Sequence, residues 1–196
     1  MLTALLAACA VAAASADTMP IVVAEAPTPA VAKPAAEKPA ARLSPLASAM
    51  ARPKTFSADS IVLDKSDRRL TMYHRGEVVK TYDVALGKNP VGPKLRRGDG
   101  RTPEGLYYIE GRNPSSKYHL SLRVSYPAET DRKRAAKLGV SSGGDIMIHG
   151  LPPAFATVGA LHRQQDWTEG CVAVTNEEIE EIWRSVPNGA WILIKP

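Results

Sequence analysis

The chain has 196 residues, a net charge of +5 and a hydrophobic fraction of 44%, which suits one domain with one buried core. Its basic residues are scattered and are not interleaved with aromatic side chains, which is not the pattern of a nucleic-acid-binding protein. The positive charge is compatible with an ordinary solvated surface and with an anionic substrate.

The amino terminus indicates export. The run from Leu2 to Ala14 is almost free of polar atoms, too short to cross a bilayer but typical of the apolar region of a signal peptide, although no basic residues precede it. Small residues at Ala14–Ala16 offer a cleavage site. We therefore predict a signal peptide at 1–16 and a periplasmic protein. Because Leu6-Ala7-Ala8-Cys9 resembles a lipobox, a lipid anchor through Cys9 is the alternative.

The next segment, 17–53, is predicted to be a disordered linker rich in Ala and Pro, in which prolines recur too often for a helix. The composition changes at Lys54, and 54–196 is predicted to be the folded domain. On either processing route Cys171 has no partner cysteine left in this domain, so an intramolecular disulfide does not explain it.

The domain opens with a predicted β-meander. Ser60–Asp64 and Arg69–His74 have the apolar content and alternation of strands, Arg75-Gly76 is a turn signal, and Glu77–Leu86 suits a half-buried third strand.

The later elements alternate between strands and short helices. Thr175 and Glu178 match a capping box at the start of the second helix. We expect a mainly β domain, a sandwich or barrel-like mixed sheet with two or three short helices. The predicted elements are strands at Leu106–Ile109 and Leu120–Val124, a helix over Ala128–Leu138, a strand at Asp145–Ile148, a helix from Thr175 to about Val186 and a strand at Ala190–Ile194.

Cys171 and His149 are the candidate catalytic residues. Acyl transfer needs a nucleophile, a base and donors for the oxyanion, and a cysteine with a histidine supplies the first two. His149 follows a predicted buried strand and lies 22 residues before Cys171, far enough for a loop to return. Gly170 and Gly150 permit tight turns that would aim backbone amides at an oxyanion. The alternative is that Cys171 is an inert buried residue.

These residues resemble a known family. Ile148-His149-Gly150 followed by Thr168-Glu169-Gly170-Cys171 resembles the His-Gly, spacer, Ser/Thr-x-Gly-Cys motif of the L,D-transpeptidase (YkuD-type) catalytic domain. Thr102-Pro103-Glu104-Gly105 resembles that family's Thr-Pro-x-Gly loop. The resemblance extends over 57–196 and implies a YkuD-like fold.

The resemblance implies a peptidoglycan enzyme. Cys171 would attack the third residue of a stem tetrapeptide, expel D-alanine and hold the peptide as a thioester, with His149 as its base. An amine from a second stem or from a lipoprotein would then resolve the thioester, giving a 3-3 crosslink or an attached protein. Two alternatives stay open: a hydrolase on the same scaffold, which releases lipoprotein or D-alanine, and a non-catalytic wall-binding domain.

Further residues near the nucleophile are candidates for substrate contact. Trp167 and Thr168 lie four and three residues before it, and Arg163 could pair with a substrate carboxylate. No cofactor is implied, and the spacing of His149, His162 and Cys171 does not suggest a metal site. Ala173 stands where many family members have an arginine, which leaves the choice of acceptor open. The sequence carries no signal for the oligomeric state.

Overall fold

The structure, a computed structural model, describes residues 57–196. The predicted signal peptide, the predicted linker and Cys9 lie outside these residues. Within the described part, no helix combines the length and apolarity needed to cross a membrane.

Eight strands form one mixed sheet in the order β3-β2-β1-β8-β4-β5-β6-β7. Neighbouring strands are antiparallel except for two parallel pairs, β1 with β8 and β6 with β7. The strands are β1 (Ser60–Asp64), β2 (Arg69–His74), β3 (Glu77–Asp83), β4 (Gly105–Ser116), β5 (His119–Val124), β6 (Met147–His149), β7 (Val172–Ala173) and β8 (Trp191–Lys195).

The two ends of the sheet are joined by the chain that leaves β3. Ala85 exchanges both backbone hydrogen bonds with Ala173 of β7, at 3.0 and 2.8 Å, and the Thr168 amide donates to the Leu86 carbonyl at 3.0 Å. The third strand therefore ends at Asp83, three residues earlier than predicted, because the chain crosses to the opposite edge there. This closure confirms the barrel-like, mainly β fold.

Three short helical elements accompany the sheet, in agreement with the expected two or three. The second α-helix begins with the expected capping box: the Glu178 amide donates to the Thr175 hydroxyl, and the Glu178 carboxylate accepts from the Thr175 amide. The 3₁₀ segment, which the sequence did not predict, is interrupted at Gly159. The elements are α1 (Glu129–Lys137), the 3₁₀ segment (Pro153–Gln164) and α2 (Asn176–Ser185).

The core lies between the concave side of the sheet and α2. Ile179 and Ile182, four and seven residues after the Thr175 cap, are fully buried and place α2 over the sheet. On the strands, alternate residues point inward, as the sequence alternation predicts. The largest fully buried strand residues are Ile61, Leu63, Leu70, Met72, Ile109, Leu122 and Ile148.

A long connection between β3 and β4, which we call the 88–104 loop, is fixed by two buried lysines. Lys65 is 3% exposed and donates to the carbonyls of Gly92 and Thr102, at 2.7 and 3.2 Å, and to the Glu104 carboxylate at 2.7 Å. Lys94 is 4% exposed and pairs with Asp99 at 2.8 Å. Buried ammonium groups are tolerated only with such partners, so the loop is held in one conformation.

The two sides of β8 provide a test of the core assignment. Ile192 is fully buried, whereas its neighbour Leu193 is 42% exposed. We expect Ile192→Ala to lower the free energy of unfolding by about 2–5 kcal/mol, because it leaves a cavity in the core. Leu193→Ala should lower it by less than about 1 kcal/mol. Urea denaturation of both variants measures the difference, and equal losses would contradict the assignment.

Candidate active site

The parallel pairing of β6 with β7 brings Cys171 next to His149. Ile148 lies opposite Val172 and His149 opposite Ala173, so Cys171, one residue before β7, lies diagonally across from His149. Because side chains alternate along a strand, the two residues share one face of the sheet. Strand spacing and rise per residue place their Cα atoms about 8 Å apart. The 22-residue separation in sequence is thus closed by one strand pairing.

His149 is the last residue of β6 and is almost fully buried, at 4% exposed. Its ring packs against Tyr118, with ring centroids 4.5 Å apart, and against Trp167 at 5.8 Å. Its Nδ1 lies 2.7 Å from the carbonyl oxygen of Gly150. A carbonyl oxygen can only accept, so Nδ1 carries the proton and, in the neutral ring, Nε2 keeps its lone pair.

The Cys171 thiol is partly exposed and donates to the carbonyl oxygen of Asp145 at 3.5 Å. Burial by the surrounding loops raises the pKa of this thiol above its ordinary value. A backbone hydrogen bond from Met147 and the charge of Lys94 act in the opposite direction, and the charge of Asp145 adds to the rise. At rest Cys171 is therefore a neutral thiol.

The turn before the nucleophile, 168–171, is closed by the Thr168 side chain. The Thr168 hydroxyl donates to the Cys171 carbonyl at 2.7 Å and accepts from the Gly170 amide at 3.1 Å. Gly170 has a φ of +130°, and a Cβ there would lie 2.5 Å from the carbonyl oxygen of Arg101. Only glycine fits this backbone. We call residues 168–171 the nucleophile turn.

Comparison with known proteins shows the family to which this chain belongs. A family model described as the YkuD L,D-transpeptidase catalytic domain matches residues 58–194. The chain belongs to this family. The resemblance drawn from the His-Gly and Thr-x-Gly-Cys motifs is thereby confirmed, and it extends across all eight strands.

Curated L,D-transpeptidase-family proteins from two bacteria are similar in sequence. YafK of Escherichia coli (strain K12), whose name places it among the L,D-transpeptidases, is 28% identical over 142 residues, covering 69% of this chain and 50% of YafK. YkuD of Bacillus licheniformis is 26% identical over 141 residues, covering 69% of this chain and 65% of the relative. The chain thus spans about half the length of YafK.

Solved structures share the fold. The helical cell shape determining protein Pgp2 of Campylobacter jejuni, as a K307A mutant, gives a TM-score of 0.54 at 24% identity, over 71% of this chain and 47% of Pgp2. Bd1075 of Bdellovibrio bacteriovorus gives 0.51 at 25% identity, over 73% and 49%. The predicted YkuD-like fold is confirmed by these matches.

The two glycines predicted to shape an oxyanion hole both lie in closely packed backbone. The Gly170 amide donates to the Thr168 hydroxyl at 3.1 Å, and the Gly150 amide donates to the Leu120 carbonyl at 3.3 Å. A Cβ on Gly150 would lie 2.6 Å from the Asn176 side chain. Both positions therefore require glycine for packing, and a role in binding an oxyanion stays a prediction.

Of the three residues predicted to contact substrate, the structure directs two elsewhere. Arg163 pairs with Glu178 at the start of α2 instead of remaining free for a substrate carboxylate. Thr168 is buried, and its hydroxyl donates a hydrogen bond to the Cys171 carbonyl within the nucleophile turn. Trp167 remains a candidate, because it packs beside His149 and lines an adjoining cavity.

That cavity, on the His149 side of the site, has a volume of about 430 Å³ and is mainly apolar. Its lining includes Tyr118, Phe155, Leu161 and Trp167. His162, at its edge, is buried, and burial followed by the nearby Arg163 charge lowers its pKa to about 4. His162 is therefore neutral at physiological pH. Among residues 57–196 no group of His, Cys, Asp or Glu side chains is arranged to hold a metal ion.

Sequence reasoning missed three residues of the site. Tyr118 lies in the β4–β5 hairpin and covers His149, Asp145 supplies the carbonyl for the thiol, and Lys94 contacts the nucleophile turn through the Glu169 carbonyl at 3.4 Å. Local sequence patterns carry no signal for these three residues, because each acts through a contact that forms only in the folded chain. Glu169 itself is exposed, and its carboxylate pairs with Lys88.

The close fit of Gly170 predicts a strong effect of a methyl group there. Gly170→Ala should lower the midpoint of thermal unfolding and slow labelling of Cys171, because the new Cβ would collide with the Arg101 carbonyl. The matched control is Gly189→Ala, which also has a positive φ, +87°, but open space around its Cβ position. Scanning calorimetry and iodoacetamide labelling measure both effects. Equal behaviour of the two variants would contradict the packing.

The raised pKa of Cys171 predicts how its alkylation depends on pH. A thiol whose pKa is raised stays protonated to higher pH, so the iodoacetamide rate should climb only as the pH approaches that raised value. The apparent pKa should exceed that of an unstructured cysteine peptide measured in parallel. Mass spectrometry of the alkylated protein gives the rate. An apparent pKa below about 7 would instead indicate a preformed thiolate–imidazolium pair.

Proposed function

We propose that Cys171 is the nucleophile and His149 the base of an exported L,D-transpeptidase acting on peptidoglycan stem peptides. The observation that carries this proposal is the hydrogen bond from His149 Nδ1 to the Gly150 carbonyl. It fixes the tautomer in which Nε2 is the basic atom, on the face of the sheet that His149 shares with Cys171.

The first half-reaction follows from these groups. Nε2 of His149 takes the Cys171 proton as the sulfur attacks the carbonyl carbon of the third stem residue. The bond to the terminal D-alanine breaks, and His149 returns the proton to the leaving amine. The products are a thioester on Cys171 and free D-alanine. Burial favours this concerted course, because it lowers the pKa of His149 and raises that of Cys171, so neither group is charged at rest.

The second half-reaction transfers the acyl group to an amine. Nε2 removes a proton from the incoming amine as it attacks the thioester, and the thiol is regenerated. An amine on a second stem peptide gives a 3-3 crosslink, and an amine on a lipoprotein attaches that protein to the wall. The cell-shape role in the name of Pgp2 is that protein's own; for this chain we propose wall remodelling of the same general kind, in the periplasm.

A purified-protein assay tests the proposal. Wild-type protein incubated with disaccharide tetrapeptide should form a covalent acyl adduct on Cys171 and then 3-3 dimers, seen by mass spectrometry and chromatography. Cys171→Ala should abolish both, and His149→Gln should slow adduct formation by about 10²–10⁴-fold, the usual contribution of a general base. His119→Gln, at an exposed histidine paired with Glu180, is the matched control and should behave as wild type.

The products separate the remaining possibilities. Free tripeptide without dimer would show that water resolves the thioester and that the protein is a hydrolase on this scaffold. Absence of any adduct, with tetrapeptide or with a carbapenem, would contradict the catalytic role of Cys171 and favour a wall-binding domain.

A further inference from the structure

A second cavity, of about 560 Å³, shares no lining residue with the apolar one. It is formed by the 88–104 loop, and its charged lining consists of Lys88, Arg96, Asp99 and Arg101. The steps of the proposed reaction use none of these side chains.

The charges of this cavity do not cancel. Lys88 pairs with Glu169, and Asp99 pairs with the buried Lys94. Within residues 57–196, neither Arg96 nor Arg101 forms an ion pair with a carboxylate. The Arg101 guanidinium only approaches the Pro93 carbonyl, at 3.4 Å. Two guanidinium groups are thus left with positive charge that is not neutralised, which favours an anionic ligand.

The backbone that presents these two arginines is rigid. The Asp99 carboxylate accepts from the amides of Leu95, Arg96 and Arg101, at 2.7, 3.0 and 3.1 Å. Burial acts to raise the pKa of Asp99, but Lys94 and these amides outweigh it and lower the pKa to about 2, so the carboxylate stays charged. The backbone from which both arginines extend is therefore set before a ligand arrives, which lowers the entropy lost on binding.

Two residues that line the cavity, Lys88 and Arg101, also contact the nucleophile turn. The Arg101 carbonyl lies against Gly170, where a Cβ would be 2.5 Å away. Glu169, the next residue back, forms an ion pair with Lys88, and its carbonyl accepts a hydrogen bond from Lys94. The cavity is therefore linked to the turn that carries Cys171 through residues common to both.

We propose that this cavity binds a free carboxylate of the stem peptide, through Arg96 and Arg101, while the peptide is presented to Cys171. The proposal rests on the proposed function. Guanidinium groups bind carboxylates through paired hydrogen bonds. The apolar cavity beside His149 is the unfavourable place for such a group, because a buried carboxylate there would lack a counter-charge. The two cavities therefore divide the substrate by polarity.

Binding to an inactive variant tests this without turnover. Cys171→Ala protein is titrated calorimetrically with disaccharide tetrapeptide carrying free carboxylates and with the same compound amidated at those carboxylates. The free form should bind more tightly. Arg96→Gln and Arg101→Gln should each weaken its binding about two- to fivefold, the range of exposed ion pairs, and together about tenfold. Neither change should affect the amidated form.

Arg184→Gln is the matched control, because Arg184 lies in the last turn of α2 and does not line the charged cavity. It removes the same charge and should leave both affinities unchanged. Equal weakening of the free and amidated forms, or equal weakening by Arg184→Gln, would overturn the proposal. The proposal would also be overturned if inorganic phosphate bound more tightly than the peptide and if Arg96→Gln and Arg101→Gln weakened phosphate binding, because phosphate would then be the ligand.

This experiment separates the two proposals. If wild-type protein forms no acyl adduct but Cys171→Ala protein still discriminates by charge through Arg96 and Arg101, the carboxylate site stands and the catalytic role falls. If adducts form but charge makes no difference to binding, the catalytic role stands and the carboxylate site falls.

Discussion

The contact between Gly170 and the carbonyl oxygen of Arg101 is the constraint on which the rest of the site depends. It allows the nucleophile turn to lie directly on the 88–104 loop, with no side chain between the two backbones. The same turn is bound through Thr168 to the chain leaving β3, and β7 continues from it into the pairing with β6. Cys171 is therefore held from three directions by main-chain contacts, which the Thr168 hydroxyl reinforces within the turn.

How far the sequence predicts this molecule depends on the range of the interactions. The capping box at Thr175, the end of a strand at His149 and most of the strands follow from local patterns of polarity and from backbone chemistry, and the structure agrees with them. Besides β3, three strands differ from the prediction: β4 continues to Ser116 instead of Ile109, β6 begins at Met147 instead of Asp145, and the two-residue β7 was not predicted. The family motif predicted the partnership of His149 with Cys171. The crossing of the chain after Asp83 was not predicted. It depends on the pairing of Ala85 with Ala173, 88 positions later in the chain, and such a distant pairing leaves no trace in the local alternation of polarity.

The candidate site was less predictable in its polar details. Arg163 and Thr168 have the side chains expected of substrate-binding residues, but the fold supplies each with an internal partner, Glu178 and the Cys171 carbonyl. A sequence reveals which groups a residue can bind but not which of them lies closest. The same limit hid Lys94, whose burial beside Asp99 is visible only once the 88–104 loop is folded.

The neutral resting state of Cys171 and His149 fits the compartment that the amino-terminal sequence predicts. In an oxidising compartment a permanent thiolate would be exposed to oxidation, and a lone cysteine has no neighbour with which to recover as a disulfide. Burial favours the neutral forms of both groups, since it raises the thiol pKa and lowers the imidazole pKa. In the reaction we propose, proton transfer to Nε2 would produce the thiolate only as the sulfur attacks a bound carbonyl. The same desolvation that keeps the resting thiol neutral would then leave its reactivity under the control of substrate binding.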